Sequence, residues 1–217
     1  MFTVFTMSEQ RDRILGCACD LYLEGGLDGF SMRRLAKEVG VTAPAIYRHY
    51  DGRDAVLADV LREAHRNFAR YLYQALGAPT ALERFLGAGE GYLSFVFDHP
   101  RWYGIIHTAH EHLGIDALPD DIQAMEASIH QFWNDRVREC MQDGILKNGD
   151  PEETSVTMWA HAYGMIQLYH EGHVPVTPDE FRTLFRASGL RLLSGVATEE
   201  FVPRIAELMC AQPQPLA

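Results

Sequence analysis

Apolar residues recur at three- and four-residue spacing along nearly the whole 217-residue chain, and no stretch sustains the apolar–polar alternation of a half-buried strand. That pattern restricts the chain to an all-α fold, because a sheet needs segments of period two. The helix starts are marked as clearly as the faces. Thr80-Ala81-Leu82-Glu83 and Thr177-Pro178-Asp179-Glu180 read as capping boxes, in which hydroxyl and carboxylate satisfy orphan N–H groups reciprocally. Asp150-Pro151-Glu152-Glu153 places acids at the positive end of a helix dipole. With the glycine and proline breaks between them, these signals predict nine or ten helices, over 8–24, 31–39, 42–49, 52–76, 80–98, 100–113, 120–146, 151–172, 178–195 and 199–211.

Composition narrows the class further. With 47% hydrophobic residues the chain can bury a core without staples. Cys17, Cys19, Cys140 and Cys210 form no CxxC pair, which fits a reducing cytoplasm, and no apolar run approaches a membrane span. The opening Met1–Thr6 stretch is too short for a secretory signal and lacks a basic flank. The net charge of −11 argues against a polyanionic partner until its distribution is examined. Residues 1–70 carry ten Lys/Arg against ten Asp/Glu, whereas residues 71–217 carry nine against twenty. A neutral first third tolerates DNA far better than an acidic one, since affinity for the duplex rests on phosphate neutralisation.

Residues 31–50 carry the most information. Ser31 stands where it caps a short helix whose inner face is Leu35, Ala36 and Val39, and Gly40 supplies the left-handed C-cap. Thr42 then caps a second short helix, with Pro44 in its first turn and Ile46 and Tyr50 on its buried face. A small residue for close approach, a glycine turn and an apolar plug make up a helix-turn-helix. Its second helix enters the major groove by its N-terminal end. The DNA-facing candidates are therefore Ser31, Arg33, Thr42, Ala43, Ala45, Tyr47, Arg48, His49 and Arg53. Ala43 and Ala45 let the backbone approach and touch thymine methyls, while Thr42, Tyr47 and His49 suit phosphate oxygens. Arg48 fits either a guanine edge or a phosphate.

Residues 10–57 resemble the N-terminal domain of the TetR (tetracycline-repressor) family. The matching features are a first helix with Ile14, Leu15, Ala18, Leu21 and Tyr22, then Gly26-Leu27, Ser31, the run Leu35 to Thr42, and Ile46-Tyr47-Arg48-His49-Tyr50 before Asp51 to Leu57. Tyr50 and Arg53 stand where that family usually has a phenylalanine and a lysine, and both keep the chemistry of a buried ring and a cation near the backbone. The segment Trp159 to Gly164 resembles a C-terminal variant with a Trp-x-x-x-His-Gly helix, although Tyr163 replaces its histidine. The resemblance implies a DNA-binding domain at 8–52, a ligand-binding and dimerisation domain at 53–211, and a cytoplasmic homodimer. Such a dimer releases a palindromic double-stranded operator when a small-molecule effector binds. It also implies that the last two long helices pair across a two-fold axis, with Met158, Ser188 and Gly189 among the interface residues.

Polar rings on the middle helices suggest where an effector sits. Trp102, Tyr103, His107, His110, Trp133, Trp159, His161 and Tyr163 offer ring area with a few polar tips, which suits a largely apolar ligand with one polar end. His107, His110 and Glu111 share one helical face, so a metal- or haem-responsive regulator on the same scaffold is the alternative. No Glu-x-x-His, glycine-rich phosphate loop or nucleophile elbow occurs, which argues against an enzyme. No metal or cofactor is assigned.

Overall fold

A computed structural model of the chain describes residues 7–112 and 118–210, giving the backbone alone for 108–112 and 210. The described residues form ten α-helices: α1 (Met7–Gly25), α2 (Met32–Val39), α3 (Ala43–Tyr47), α4 (Arg53–Tyr73), α5 (Ala81–Asp98), α6 (Pro100–His112), α7 (Asp120–Gln142), α8 (Pro151–His170), α9 (Pro178–Val196) and α10 (Val202–Cys210). None is long and apolar enough to cross a membrane. The start signals act as the sequence implies. Thr177 and Glu180 form a complete capping box, Thr80 and Glu83 exchange the same pair of bonds, and Asp150 accepts from the Glu152 N–H at 2.8 Å.

Several helix ends differ from the periodicity. α4 stops at Tyr73 and a 3-10 turn occupies Gln74–Gly77, where the pattern predicts helix to 76. α7 stops at Gln142 rather than 146 because Gly144 takes φ 70°. Ile145 and Leu146 then peel away yet remain buried, with Leu146 bridged to Ala197. That bridge also delays α10, which begins at Val202 rather than 199. At Leu146 and Ala197 apolar residues serve the core from an extended bridge, which periodicity alone reads as helix.

The chain divides into two compact units. The first holds the described residues up to Arg70 and from Asp98 to Ala127. Its interior joins Ile14, Ala18, Leu21 and Tyr22 of α1 to Leu35, Ala36 and Val39 of α2, with Val56, Leu57, Val60 and Leu61 of α4 also buried. α6 packs on α1 in the same unit: the Tyr22 and Trp102 rings stack at 6.2 Å, and the Tyr22 hydroxyl donates to the Arg101 carbonyl at 3.3 Å. Asp59, 8% exposed, accepts from Arg11 of α1 at 2.9 Å and from Arg62 at 2.6 Å. Arg62 also donates to both carboxylate oxygens of Asp121 in the first turn of α7. Its bonds to Arg62 hold the Asp121 carboxyl below its usual range.

The second unit holds the residues from Tyr71 to Phe97 and from Ser128 onward. Its core joins Leu82 and Phe85 of α5, Val137, Cys140 and Met141 of α7, and Leu193 of α9, with Ile145 and Leu146 beside them. Gly91 lets α5 come hard against the end of α4, since a Cβ there would lie 2.5 Å from the Tyr71 carbonyl oxygen. Arg186 of α9 grips Glu90 of α5 through two bonds, at 2.6 and 2.7 Å.

Candidate nucleic-acid interface and effector residues

The helix-turn-helix follows from its own residues. Ser31 has extended backbone and its hydroxyl accepts from the Arg34 N–H at 3.2 Å. Gly40, at φ 76°, turns its N–H back on the Ala36 and Lys37 carbonyls, a conformation that costs a side chain with a Cβ about 1 kcal/mol. α3 has five residues, so it depends on its anchors, and Ile46 and Tyr50 are buried at 0% and 4% exposure. The Arg11 guanidinium lies 5.0 Å from the centre of the Tyr50 ring. Thr42 differs from expectation: it occupies the N-cap position of α3 but its side chain makes no cap bond. Pro44 has no N–H to offer, and the Ala45 N–H already donates to the Thr42 carbonyl at 2.9 Å. The exposed Thr42 hydroxyl is left at the mouth of the helix.

Ser31, Arg33, Thr42, Tyr47 and Arg48 are exposed, while Ala43, Ala45, His49 and Arg53 are half-buried. Tyr47 is 52% exposed. Arg53 is partly engaged within the unit, donating to the Leu27 carbonyl at 3.4 Å with its guanidinium 6.0 Å from the centre of the Phe30 ring.

The eight effector candidates divide between the two units. In the first, Trp102 and Tyr103 are buried at 5% and 2%, with the His107 ring 4.3 Å from that of Tyr103. His110 lies outside the residues whose side chains are described. In the second, Trp133 meets Phe85 edge-on at 6.2 Å, and His161 lies within hydrogen-bond distance of the Ser188 hydroxyl, at 3.2 Å. Trp159 is 42% exposed, with His130 5.2 Å and Tyr163 6.2 Å away, ring centre to ring centre. Three residues placed between subunits by the sequence are half-buried and also have neighbours within their own chain. A Cβ on Gly189 would meet Met209 of α10 at 3.4 Å, Ser188 is taken up by His161, and Met158 packs on the core of the second unit. Among the described residues no three His, Cys, Asp or Glu side chains group as metal ligands.

Comparison with known proteins meets this geometry at both ends of the chain. Residues 14–60 match the family described as bacterial regulatory proteins, tetR family, and residues 85–190 match the tetracyclin repressor-like C-terminal domain. The chain belongs to the TetR family. The tetracycline repressor protein class C of Escherichia coli is 40% identical over 55 residues, a quarter of each chain. The HTH-type transcriptional repressor KstR2 of Mycolicibacterium smegmatis is 24% identical over 143 residues, covering 64% of this chain and 69% of the relative. A solved structure of a protein with unknown function from Rhodococcus sp. RHA1 superposes with a TM-score of 0.78 at 20% identity, covering 91% of this chain and all of the other. Membership of that family makes the chain a bacterial transcriptional regulator.

A buried polar group in this TetR-family chain escaped the sequence reading. His65 of α4 is 2% exposed, and neither ring nitrogen has a hydrogen-bond partner. Burial pushes its pKa down to about 4, so the ring is neutral at physiological pH. One signal pointed to it: His65 lies four residues after Leu61 and three before Phe68, on the apolar face of its helix.

Proposed function

We propose that the chain is a homodimeric, ligand-responsive repressor that leaves a palindromic operator when a small molecule binds. Residues 8–52 serve as the DNA-binding domain, and residues 53–211 bind the ligand and the partner subunit, in the cytoplasm. The observation that carries this reading is the recognition helix, plugged by Ile46 and Tyr50 while Thr42, Tyr47 and Arg48 stay exposed. Thr42, Tyr47 and His49, with Ser31, Arg33 and Arg53 around them, suit phosphate contacts that position the protein. Ala43 and Ala45 suit close approach to thymine methyls, and Arg48 is the side chain able to read a guanine. One helix of five residues reads too few base pairs for specificity, so two must act together. Dimerisation is supported by α8 and α9, which leave Val156, Trp159, Leu168 and Leu184 exposed.

The effector occupies the helical domain, with Trp102, Tyr103, His107, His110, Trp133, Trp159, His161 and Tyr163 as the candidate contacts. To release DNA it must bind the released state several kcal/mol more tightly than the DNA-bound state, and by reciprocity the operator must weaken effector binding by the same factor. A gel shift with DNA flanking the gene tests the core of the proposal. A retarded band that persists over competitor DNA and weakens with Tyr47→Ala is the expected result. Equal binding to flanking and random DNA would overturn it.

A further inference from the structure

Asp59 is the middle of a chain of charges that runs from α7 to the recognition helix without leaving the first unit. Each of its oxygens serves one arginine: Oδ2 accepts from Arg11 at 2.9 Å and Oδ1 from Arg62 at 2.6 Å. The rest of the Arg62 guanidinium is turned away, its Nε and Nη2 donating to the two carboxylate oxygens of Asp121 at 2.5 and 2.9 Å. At the other end the Arg11 guanidinium lies over the Tyr50 ring, within the range of a cation–π contact. Asp121 stands on a fixed base. Leu118 and Ile122, which flank it, are buried at 3% and 0%, and the Gln123 side chain donates to the Leu118 carbonyl at 2.7 Å. Tyr50 in turn is an anchor of α3, whose five residues hold few bonds of their own.

We infer that Asp121 is a positioning residue of the recognition helix, acting through Arg62, Asp59 and Arg11 on Tyr50. This rests on the reading of α3 as the helix that meets DNA. The argument lies in how the charges balance. Two carboxylates and two guanidiniums alternate along the chain, and Asp59 can give Arg11 one oxygen because Asp121 occupies the far edge of Arg62. A planar guanidinium favours a two-bond fork on a carboxylate. Without Asp121, the freed edge of Arg62 turns onto Asp59, three residues away on the same helix, and competes with Arg11 for Oδ2. Arg11 is the partner that yields, since its side chain is 54% exposed against 20% for Arg62 and returns to water at less cost. Its cation then leaves the Tyr50 ring. A direct hold on the fold explains less of the arrangement: the Asp121 side chain is 53% exposed, where water competes for its charge. What it does control is the direction in which the Arg62 guanidinium points.

The test compares full-length Asp121→Ala with the unaltered protein, each also in an Arg11→Gln background. Amide exchange reads the recognition helix through the His49 and Tyr50 N–H groups, which donate to the Ile46 carbonyl. Asp121→Ala is expected to quicken their exchange five-fold or more, while amides in the middle of α1 stay within two-fold. Beside Arg11→Gln the same substitution is expected to add nothing. Binding to DNA flanking the gene should fall five-fold or more with an unchanged salt slope, because Asp121 gives up no phosphate contact. Asp121→Glu, which can keep the fork, should retain most of the affinity. Unchanged exchange at His49 and Tyr50 would overturn the inference. So would equal quickening throughout the first unit, or an Asp121→Ala effect that persists in full beside Arg11→Gln; in these cases the DNA-binding reading survives wherever flanking DNA is retarded in preference to random DNA. If the unaltered protein shows no such preference, the DNA-binding reading fails, and the exchange rates alone decide whether Asp121 positions α3.

Discussion

Arg33 and Arg34 are adjacent in α2 and do different work. Arg34 is tied to its own unit, pairing with Glu24 and donating to the Gly29 carbonyl at 3.2 Å, while Arg33 is exposed. Arg33→Ala should therefore weaken binding to all DNA sequences and lower the salt slope by about one, with an unchanged melting temperature. Arg34→Ala should instead lower stability by up to about 1 kcal/mol, a small effect because Glu24 is largely exposed. Parallel salt titrations and melts separate the two. His65 sets a pH dependence of definite sign. Its pKa in the folded chain, about 4, lies below the ordinary value of 6.5, so as pH falls the unfolded chain takes up a proton that the folded chain refuses. Stability should be flat above neutrality and fall by up to about 3 kcal/mol between pH 6.5 and 4. Urea unfolding at pH 7.5 and 5 should show about 2 kcal/mol of this drop, and His65→Leu should remove most of it.

α5 shows how one element answers two nearly identical substitutions in opposite ways. A Cβ on Gly91 would lie 2.5 Å from the Tyr71 carbonyl, whereas a Cβ on Gly89 meets nothing within 4 Å. Gly91→Ala should cost about 1–3 kcal/mol through the forced shift of one helix from the other. Gly89→Ala should stabilise by about 0.5–1 kcal/mol, by restricting the unfolded chain. Thermal melts of the pair decide it. Most helices were legible from the sequence because their signals are local: a threonine with a glutamate three residues on, a glycine after an apolar run. What was illegible is long-range or backbone-driven. Nothing near Gly144 shows that Ile145 and Leu146 leave the helix to meet Ala197. Arg11 and Asp59 stand 48 residues apart, so the hub at Asp59 has no local mark. The exposed side of α3 was readable because five residues leave little choice once Ile46 and Tyr50 face inward. The effector candidates rest only on polar rings on apolar faces, a rule that also describes ordinary core, and it passes over the buried ring of His65.

At the scale of the whole molecule, assembly is the property most open to measurement. The chain should run as a dimer in light scattering, near twice 24.5 kDa. Trp159→Lys combined with Leu168→Glu should shift it toward monomer and abolish operator binding while leaving helical content intact. A variant that stays dimeric would move the interface away from these two residues of α8. The path of the chain has a practical consequence for anyone cutting or recombining the gene. The first unit is made from two separate stretches, with residues 71–97 intervening. Tyr22 of α1 is covered by Trp102 and bonded to Arg101, both encoded beyond that intervening stretch. An expressed fragment ending at Arg70 would carry the whole helix-turn-helix and still present a bare tyrosine face to water. It should aggregate or bind a fluorescent hydrophobic dye. Grafting a foreign reading head at residue 53 is a matching problem of the same kind. The donor must bring partners for Arg101 and Asp59, or the hybrid will express poorly however well its recognition helix suits the new operator.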